Sequence, residues 1–423
     1  MYKILSKEKT LSLLKDKLDG KSSYSYAELE RMSGYSKRHL KRMAKELDKK
    51  DIETMLIHGN TSRTPAITAS DQEKSYIINF KSQYPKITIA QFKDVFDEDV
   101  IDNHDKEKDV LKYGLKKRSK SFFRKMYKDN GWKSPIKRNI VASDYPMHHL
   151  RDAMPRRGML IQIDGTPHDW FSTNEKYCLH LAIDDAGKEI IAGWFTKNEC
   201  LFGYLKVVEI MIKEYGLPMA MYSDKHSIFK SKDEIEGETK FQSIMKRLGI
   251  DTILANTAQA KGRVERYNST IQNRLIVDIK RFGIKDYDQL NEWFNSFYKH
   301  YLNKKFANVP IDSNDEFVPV DEKFDYLDNL SIKVERRIQN GDIFSYENCY
   351  FSPINKETGE ILHITSGVKV NVIHDILNKK LYIKRFGKLI PCIFIRETRL
   401  KDVVDNKKEL TSRISDYIEK RKE

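Results

Sequence analysis

Cysteine is scarce in this chain: four residues in 423, Cys178, Cys200, Cys349 and Cys392, none of them spaced as a CxxC pair. That scatter excludes a disulfide framework and a cysteine zinc site, and leaves the thiols as core residues. Long apolar runs are missing too. No stretch approaches the ~18 uninterrupted apolar residues of a membrane-spanning helix, and the opening segment MYKILSKEKT lacks the apolar centre of a signal peptide. A soluble intracellular protein is expected, with no membrane partner. There is no Gly-x4-Gly-Lys loop to cradle nucleotide phosphates, so ATP is not implied. Internal repeats and low-complexity tracts are also absent. Acidic residues fall short of basic ones, with Asp+Glu at 62 against Lys+Arg at 76, a formal charge of +14. Each phosphate neutralised by such a surface releases counterions, so nucleic acid is the natural partner. At roughly 100–200 residues per domain, the length calls for about two to four domains.

Residues 1–57 read as short helices. LSLLKDKL is followed by YAELERMSGYSKRHLKRMAKEL, where Gly34 and Tyr35 make a turn and Ser36 is an N-cap for a second helix. That helix offers Leu40, Met43 and Leu47 for burial and carries Lys37, Arg38, Lys41, Arg42 and Lys45. A helix-turn-helix whose basic helix enters a major groove fits this pattern, and so does an exposed basic helix with no partner. The polar stretch HGNTSRTPAITASD reads as a linker. A second helical DNA-binding domain is expected over 66–140, with 141–157 as a further linker. Its rings Phe122, Phe123 and Tyr127 fall at helical spacing and serve the core, while the cations around them remain available to DNA.

Between 158 and 310 the pattern becomes α/β. GMLIQIDGT, KYCLHLAIDDAG and KEIIAGWFT read as three strands, followed in turn by helix LFGYLKVVEIMIKEYG, strand PMAMYSD, helix FQSIMKRLG, strand IDTILAN and a long helix. Three carboxylates stand out. Asp164 and Asp224 close apolar strands, where a polar side chain belongs at the rim, and Glu265 falls in the long helix within AQAKGRVERYNSTIQNRL. A lone Asp after a strand is usually a turn former. Together, the three supply the hard oxygen ligands that Mg2+ or Mn2+ prefers, in the pattern of a two-metal-ion site for phosphoryl transfer. On the long helix Val264, Tyr267, Ile271 and Leu275 share the side that packs on the sheet, and Glu265, Asn268, Ser269 and Gln272 share another. After a linker at 311–340, short alternating strands over 341–400 predict a small antiparallel barrel, and 401–423 is a charged tail, helical or disordered.

The segments IQIDGTPHDWF, LAIDDAGKEIIAGWF, YSDKHSIF and AQAKGRVERYNSTIQNRL resemble the integrase-core, RNase H-like catalytic domain of DDE transposases, most nearly bacterial insertion-sequence transposases of the ISNCY kind. The likeness runs over roughly 155–310, and the flanking arrangement is similar as well. It implies a multidomain fold: all-α helix-turn-helix units, an α/β core with a mixed five-stranded sheet, and an SH3-like all-β barrel. The metal-binding triad falls on Asp164, Asp224 and Glu265, with two Mg2+ or Mn2+ ions per site. The interval between the last two is longer than is usual in related integrases, through KSKDEIEGETK, and Ala258 stands where family members carry Pro. No cysteine precedes Cys178, so the zinc module of retroviral integrases cannot be built in residues 1–150, which favours a bacterial element. The implied partners are double-stranded DNA, as terminal inverted repeats and target, and further copies of the chain, as a dimer or larger assembly. The implied place is the bacterial cytoplasm, at the nucleoid when DNA is bound. An RNase H-like nuclease or resolvase, or a domesticated DNA-binding regulator, are the competing readings.

Around the triad, Lys261, Arg263, Arg266 and Arg274 supply cations suited to phosphate contacts, with simple solvation as the alternative for each. Asp184 and Asp185 read as turn formers rather than ligands. His168 touches DNA, orders the metal site or caps its loop, and His226 is a neighbour of the scissile phosphate. Both histidines rank as secondary candidates.

Overall fold

Ser6, Ser25, Ser36 and Asp51 each accept a hydrogen bond from the backbone N–H three residues on, and each thereby starts a helix: α1 (Lys7–Leu18), α2 (Tyr26–Ser33), α3 (Lys37–Leu47) and α4 (Ile52–Leu56). Gly34 ends α2 with φ 73°, a left-handed turn that lets the chain enter α3 within three residues. Leu11, Leu14, Leu29, Leu40, Met43, Ala44 and Met55 close a small core among the four helices. Further helices follow as α5 (Asp71–Gln83), α6 (Ile89–Phe96), which runs into a π-turn at Asp97–Ile101, α7 (Glu107–Tyr113) and α8 (Lys120–Asp129).

The computed structural model describes residues 5–57, 68–135, 152–230, 237–255 and 262–397, with backbone alone at 262 and 263. Most of the HGNTSRTPAITASD stretch, most of the 141–157 linker, much of KSKDEIEGETK, Ala258, Lys261 and the charged tail lie outside the described residues. The rest divides into two compact units, residues up to Phe80 with His104–Lys116, and Lys81–Asn103 with the chain from Lys117 on. In the second unit, Phe92, Phe96, Phe123 and Tyr127 are buried together, so these rings serve the core.

The centre of the second unit is a mixed five-stranded sheet of order β3-β2-β1-β4-β5: β1 (Ile161–His168), β2 (Tyr177–Asp184), β3 (Ile190–Thr196), β4 (Ala220–Ser223) and β5 (Asp251–Leu254). β2 is antiparallel to both β1 and β3, and β4 and β5 run parallel to β1. α9 (Leu201–Glu214) and α10 (Lys240–Arg247) bury one face against Ile161, Ile163 and Ala182. α11 (Gly262–Arg281), α12 (Tyr287–Trp293) and α13 (Lys299–Phe306) bury the other against Leu179, Leu181 and Ile183. Covered on both faces, β2 reads as a near-continuous apolar run. Val264, Tyr267, Ile271 and Leu275 all face this second layer, as their helical spacing predicts. No described helix is long and apolar enough to cross a membrane.

β3 is an edge strand whose outer backbone groups would otherwise stand open. Three asparagines act as a partner strand. Asn291 bonds both N–H and C=O of Phe195 (2.7 and 3.1 Å), Asn295 those of Gly193 (3.1 and 2.7 Å), and Asn303 those of Ile190 (2.8 and 2.8 Å). Asn291→Ala and Asn295→Ala are each expected to lower the unfolding free energy by about 1–3 kcal/mol, because a buried donor and acceptor lose their partner together. Urea unfolding followed by circular dichroism measures this. Unchanged midpoints at both positions would mean the amides contribute nothing.

Residues 311–325 run back along the core. Arg156 binds Asp312 and Glu316 (2.7 and 2.6 Å), Arg157 binds Glu189 and Asp315 (2.6 and 2.8 Å), and Leu217 bridges to Val318. After α14 (Tyr326–Leu330), six antiparallel strands follow: β6 (Ile332–Arg337), β7 (Phe344–Tyr346), β8 (Cys349–Pro353), β9 (Lys369–Asp375), β10 (Lys380–Arg385) and β11 (Lys388–Glu397). Their order, β6-β9-β10-β11-β8-β7, and a bridge from Gln339 to Ile343 bring the sheet nearly back on itself as a barrel. Alternating inward residues, Val370 and Val372 with Leu381 and Ile383, fill it beside Phe344 and Tyr346.

Candidate active site

Parallel pairing of β1 with β4 sets Ile161 beside Met221 and Gln162 beside Tyr222. The pairing ends there; extended by two residues, the same register would set Asp164, within β1, level with Asp224, which directly follows the C-terminal end of β4. Adjacent strands lie about 4.8 Å apart, and in open α/β sheets this end is where ligands are received. Both side chains are half-buried. Asp164 lies within β1 rather than at its end, whereas Asp224 directly follows β4 and caps the turn there through the His226 N–H; the core holds both strands in place through Ile161, Ile163 and Met221.

α11 crosses the same face of β1. The Gln162 side chain, 1% exposed, accepts from the Val264 N–H (3.3 Å) and donates to Asp185 (2.5 Å). Two residues along the strand, Asp164 Oδ2 accepts from Asn268 Nδ2 at 2.8 Å. Glu265 lies three residues before Asn268, so the two share a side of the helix about one turn apart. Glu265 itself is exposed. Asp184 has the turn role expected of it, accepting from the N–H groups of Gly158, Ala186 and Gly187. Burial raises its carboxyl above the usual range, against the pull of those bonds.

A fourth carboxylate lies against Gly165, the residue after Asp164. Glu199, just before α9, accepts from Tyr204 Oη at 2.6 Å and stands 3.8 Å from His226 Nδ1. The buried His180 fixes the start of α9. Its Nε2 accepts from the Cys200 N–H (3.1 Å) and its Nδ1 faces the Trp194 carbonyl (3.1 Å), which assigns the ring proton to Nδ1. Burial keeps that imidazole below its ordinary pKa, and so neutral. Gly203 leaves room for the ring, and Gly165 leaves room for Glu199. A Cβ at Gly165 would fall 2.7 Å from Glu199 Cδ and 2.8 Å from Tyr204 Oη. Gly165→Ala should therefore cost about 1–3 kcal/mol of stability by overpacking, and Glu199→Ala in the same chain should return part of it. Strictly additive losses in a thermal-unfolding cycle would show that the contact carries no energy. Sequence reasoning missed Glu199, His180 and Gly165. The one signal was a glycine directly after a strand-end aspartate.

His226 is exposed, and its N–H donates to Asp224 Oδ1 at 2.9 Å, so it borders both Asp224 and Glu199. His168 packs edge-on against Trp170, with centroids 4.9 Å apart, and burial lowers its pKa. Asp169 caps the following turn through the N–H groups of Thr173 and Asn174. Arg266 is exposed on α11, whereas Arg274 is 6% exposed and paired with Asp94, which corrects its expected role as a phosphate contact. Lys261 lies outside the described residues, as does the side chain of Arg263. Lys37, Arg38, Lys41 and Arg42 are exposed on α3, in the first unit; Arg42 bonds His39 (2.8 Å) and Lys37 lies 3.9 Å from Glu30.

The residues fit a divalent cation in kind and in part in place. The carboxylate oxygens of Asp164 and Asp224 are hard donors, and Asn268 Oδ1 is buried with no hydrogen-bond partner among the described residues. Among the described residues, however, no three His, Cys, Asp or Glu side chains are gathered closely enough to hold an ion as they stand.

No family profile matches the chain. It is 33% identical over 285 residues to "Putative transposase y4bF" of Sinorhizobium fredii (strain NBRC 101917 / NGR234), which covers 65% of this chain and 61% of that protein. It is 30% identical over 340 residues to the transposase for insertion sequence IS1202 of Streptococcus pneumoniae, covering 75% of this chain and 71% of that one. The chain thus spans less than two thirds of the y4bF protein's length. Among solved structures, the HTLV-2 integrase catalytic core domain in complex with magnesium has a TM-score of 0.26 at 20% identity, over 33% of this chain and 85% of that one. The BIV integrase catalytic core domain has 0.27 at 18%, over 35% and 85%.

Proposed function

The chain belongs to the family of insertion-sequence transposases that includes the IS1202 transposase, and on that premise we propose that it binds the terminal inverted repeats of a mobile element, cleaves there and joins the ends to target DNA. The observation that carries this reading is the parallel β1–β4 pairing, whose register extended by two residues would set Asp164 level with Asp224, with α11 laid across β1 so that Asn268 holds Asp164. A mixed sheet of order β3-β2-β1-β4-β5 agrees with an RNase H-like core.

Asp164, Asp224 and Glu265 would hold two Mg2+ or Mn2+ ions, which when bound activate the attacking oxygen and stabilise charge on the leaving one. Asn268 fixes the rotamer of Asp164, and the His226 N–H fixes that of Asp224, so the two carboxylates are oriented before a ligand arrives. Glu199 and Tyr204 pack together against Gly165, the residue after Asp164. Arg263 and Arg266 would hold phosphates along the N-terminal half of α11, together with Lys261 just before it in the sequence. α3 would read the repeats with Lys37, Arg38, Lys41 and Arg42 as a helix-turn-helix, the helices between residues 71 and 129 would extend the DNA contact, and the barrel would add DNA or subunit contacts. The assembly would be a dimer or larger on DNA.

Incubating the protein with a pre-cleaved element end, supercoiled target and Mg2+ tests the reading directly. A joined product is expected. Hydrolysis with no joined product would instead make it a nuclease.

A further inference from the structure

We propose that the β10–β11 hairpin of the barrel is a DNA wedge, in which Phe386 stacks against an opened base step while the cations beside it neutralise the flanking phosphates. The tip is a two-residue turn closed by the Arg385–Lys388 pair, with Phe386 at φ 48° and Gly387 at φ 73°. Two left-handed residues are what right-twisted strands require of so short a turn, and the first place belongs by preference to Asn, Asp or Gly. A phenylalanine there is strained. Its ring is also 89% exposed, so it does not offset that strain by burial. Local physics would favour Asn on both counts; the aromatic residue needs a reason outside the hairpin.

The surroundings say what kind of partner supplies it. Residues 380–388 hold Lys380, Lys384, Arg385 and Lys388 and no acidic residue. The Arg385 guanidinium lies 4.9 Å from the Phe386 ring centroid, so a flat cation and a flat ring already stand together at the tip. Lys388 is exposed on one side; Lys384 is exposed on the other, where it also lies 3.4 Å from Asp328. An apolar plate between positive charges complements a base step between phosphates. The hairpin is held within the barrel sheet, through β9 on one side and β8 on the other, so the plate is presented on a stiff mount.

This inference rests on the proposed DNA function only in taking DNA as the ligand; it needs no catalysis, and its test runs in chelator. The full-length protein and its Phe386→Asn and Phe386→Trp variants are titrated with a short labelled duplex, and thymine reactivity to permanganate is mapped on the complex. Phe386→Asn should keep or raise the thermal midpoint, lower DNA affinity about tenfold, and abolish the reactive thymine that wild type produces. Phe386→Trp should retain both signals. Wild-type affinity and an unchanged permanganate pattern in Phe386→Asn would overturn the wedge and leave the transposase reading intact, as would a change confined to oligomeric state. A wild-type chain that binds no duplex at all would overturn both.

Discussion

Asp224→Asn is expected to reduce end cleavage and strand joining to background while the protein stays folded and still binds element ends. Glu265→Gln should behave alike. Both replacements keep the shape of the side chain and remove its charge, the property a hard cation selects. In Asp224→Asn an amide oxygen still accepts from the His226 N–H, so the loop after β4 keeps its local tie. Neither residue is in the core, and substitutions outside it usually move stability by no more than about 0.5 kcal/mol. Binding to a labelled element end, measured in parallel with joined product, separates the two effects. Variants that join normally would sink the assigned site, and variants that lose end binding in proportion would make it a DNA-contact surface instead. Asn268→Ala should weaken the site less, by about 10–100-fold in activity or metal affinity, as is typical when a partner orienting a metal ligand is removed. Wild-type joining in the presence of chelator would remove metal from the account altogether.

Much of this site is legible in the sequence alone because the signals are periodic. Asp164 and Asp224 interrupt apolar runs at their ends, and Val264, Tyr267, Ile271 and Leu275 repeat at helical spacing. The sheet's composition follows from the same alternation. What stays hidden depends on pairing across distance. Only the β1–β4 register, carried two residues on, brings the two aspartates level, and nothing local specifies which strand lies beside which. Glu199 looks like any acid ahead of a helix until its neighbour Gly165 is known to lie against it. Arg274 passes for a surface cation because its partner Asp94 is 180 residues away. The asparagines that cover β3 are equally silent: Asn is an ordinary helix-surface residue, and its use as a strand mimic needs the strand beside it.

Triple substitution of Arg38, Lys41 and Arg42 by Ala should weaken binding to element ends and flatten its salt dependence, the slope of log affinity against log salt falling by about three, one for each phosphate that no longer meets a cation. The fold should survive. All three side chains are exposed, alanine favours helix, and α3 keeps its Ser36 N-cap and its buried Leu40, Met43 and Ala44. The prediction separates two meanings of a basic helix. If α3 only adds charge, affinity for element ends and for unrelated duplex should fall together, leaving discrimination untouched. If it lies in a major groove, at least one of these side chains reaches a base edge, and each such contact adds about 1–3 kcal/mol of preference for the correct site. Discrimination should then fall further than non-specific affinity, and single substitutions should split into a class that changes only the salt slope and a class that also changes sequence preference. Lys41 lies 5.8 Å from the Tyr26 ring and so bridges α3 to α2; it belongs in the first class, with Arg38 the better candidate for the second. Competition titrations at two salt concentrations distinguish the cases, and a triple variant with unaltered slope and discrimination would take α3 out of DNA recognition.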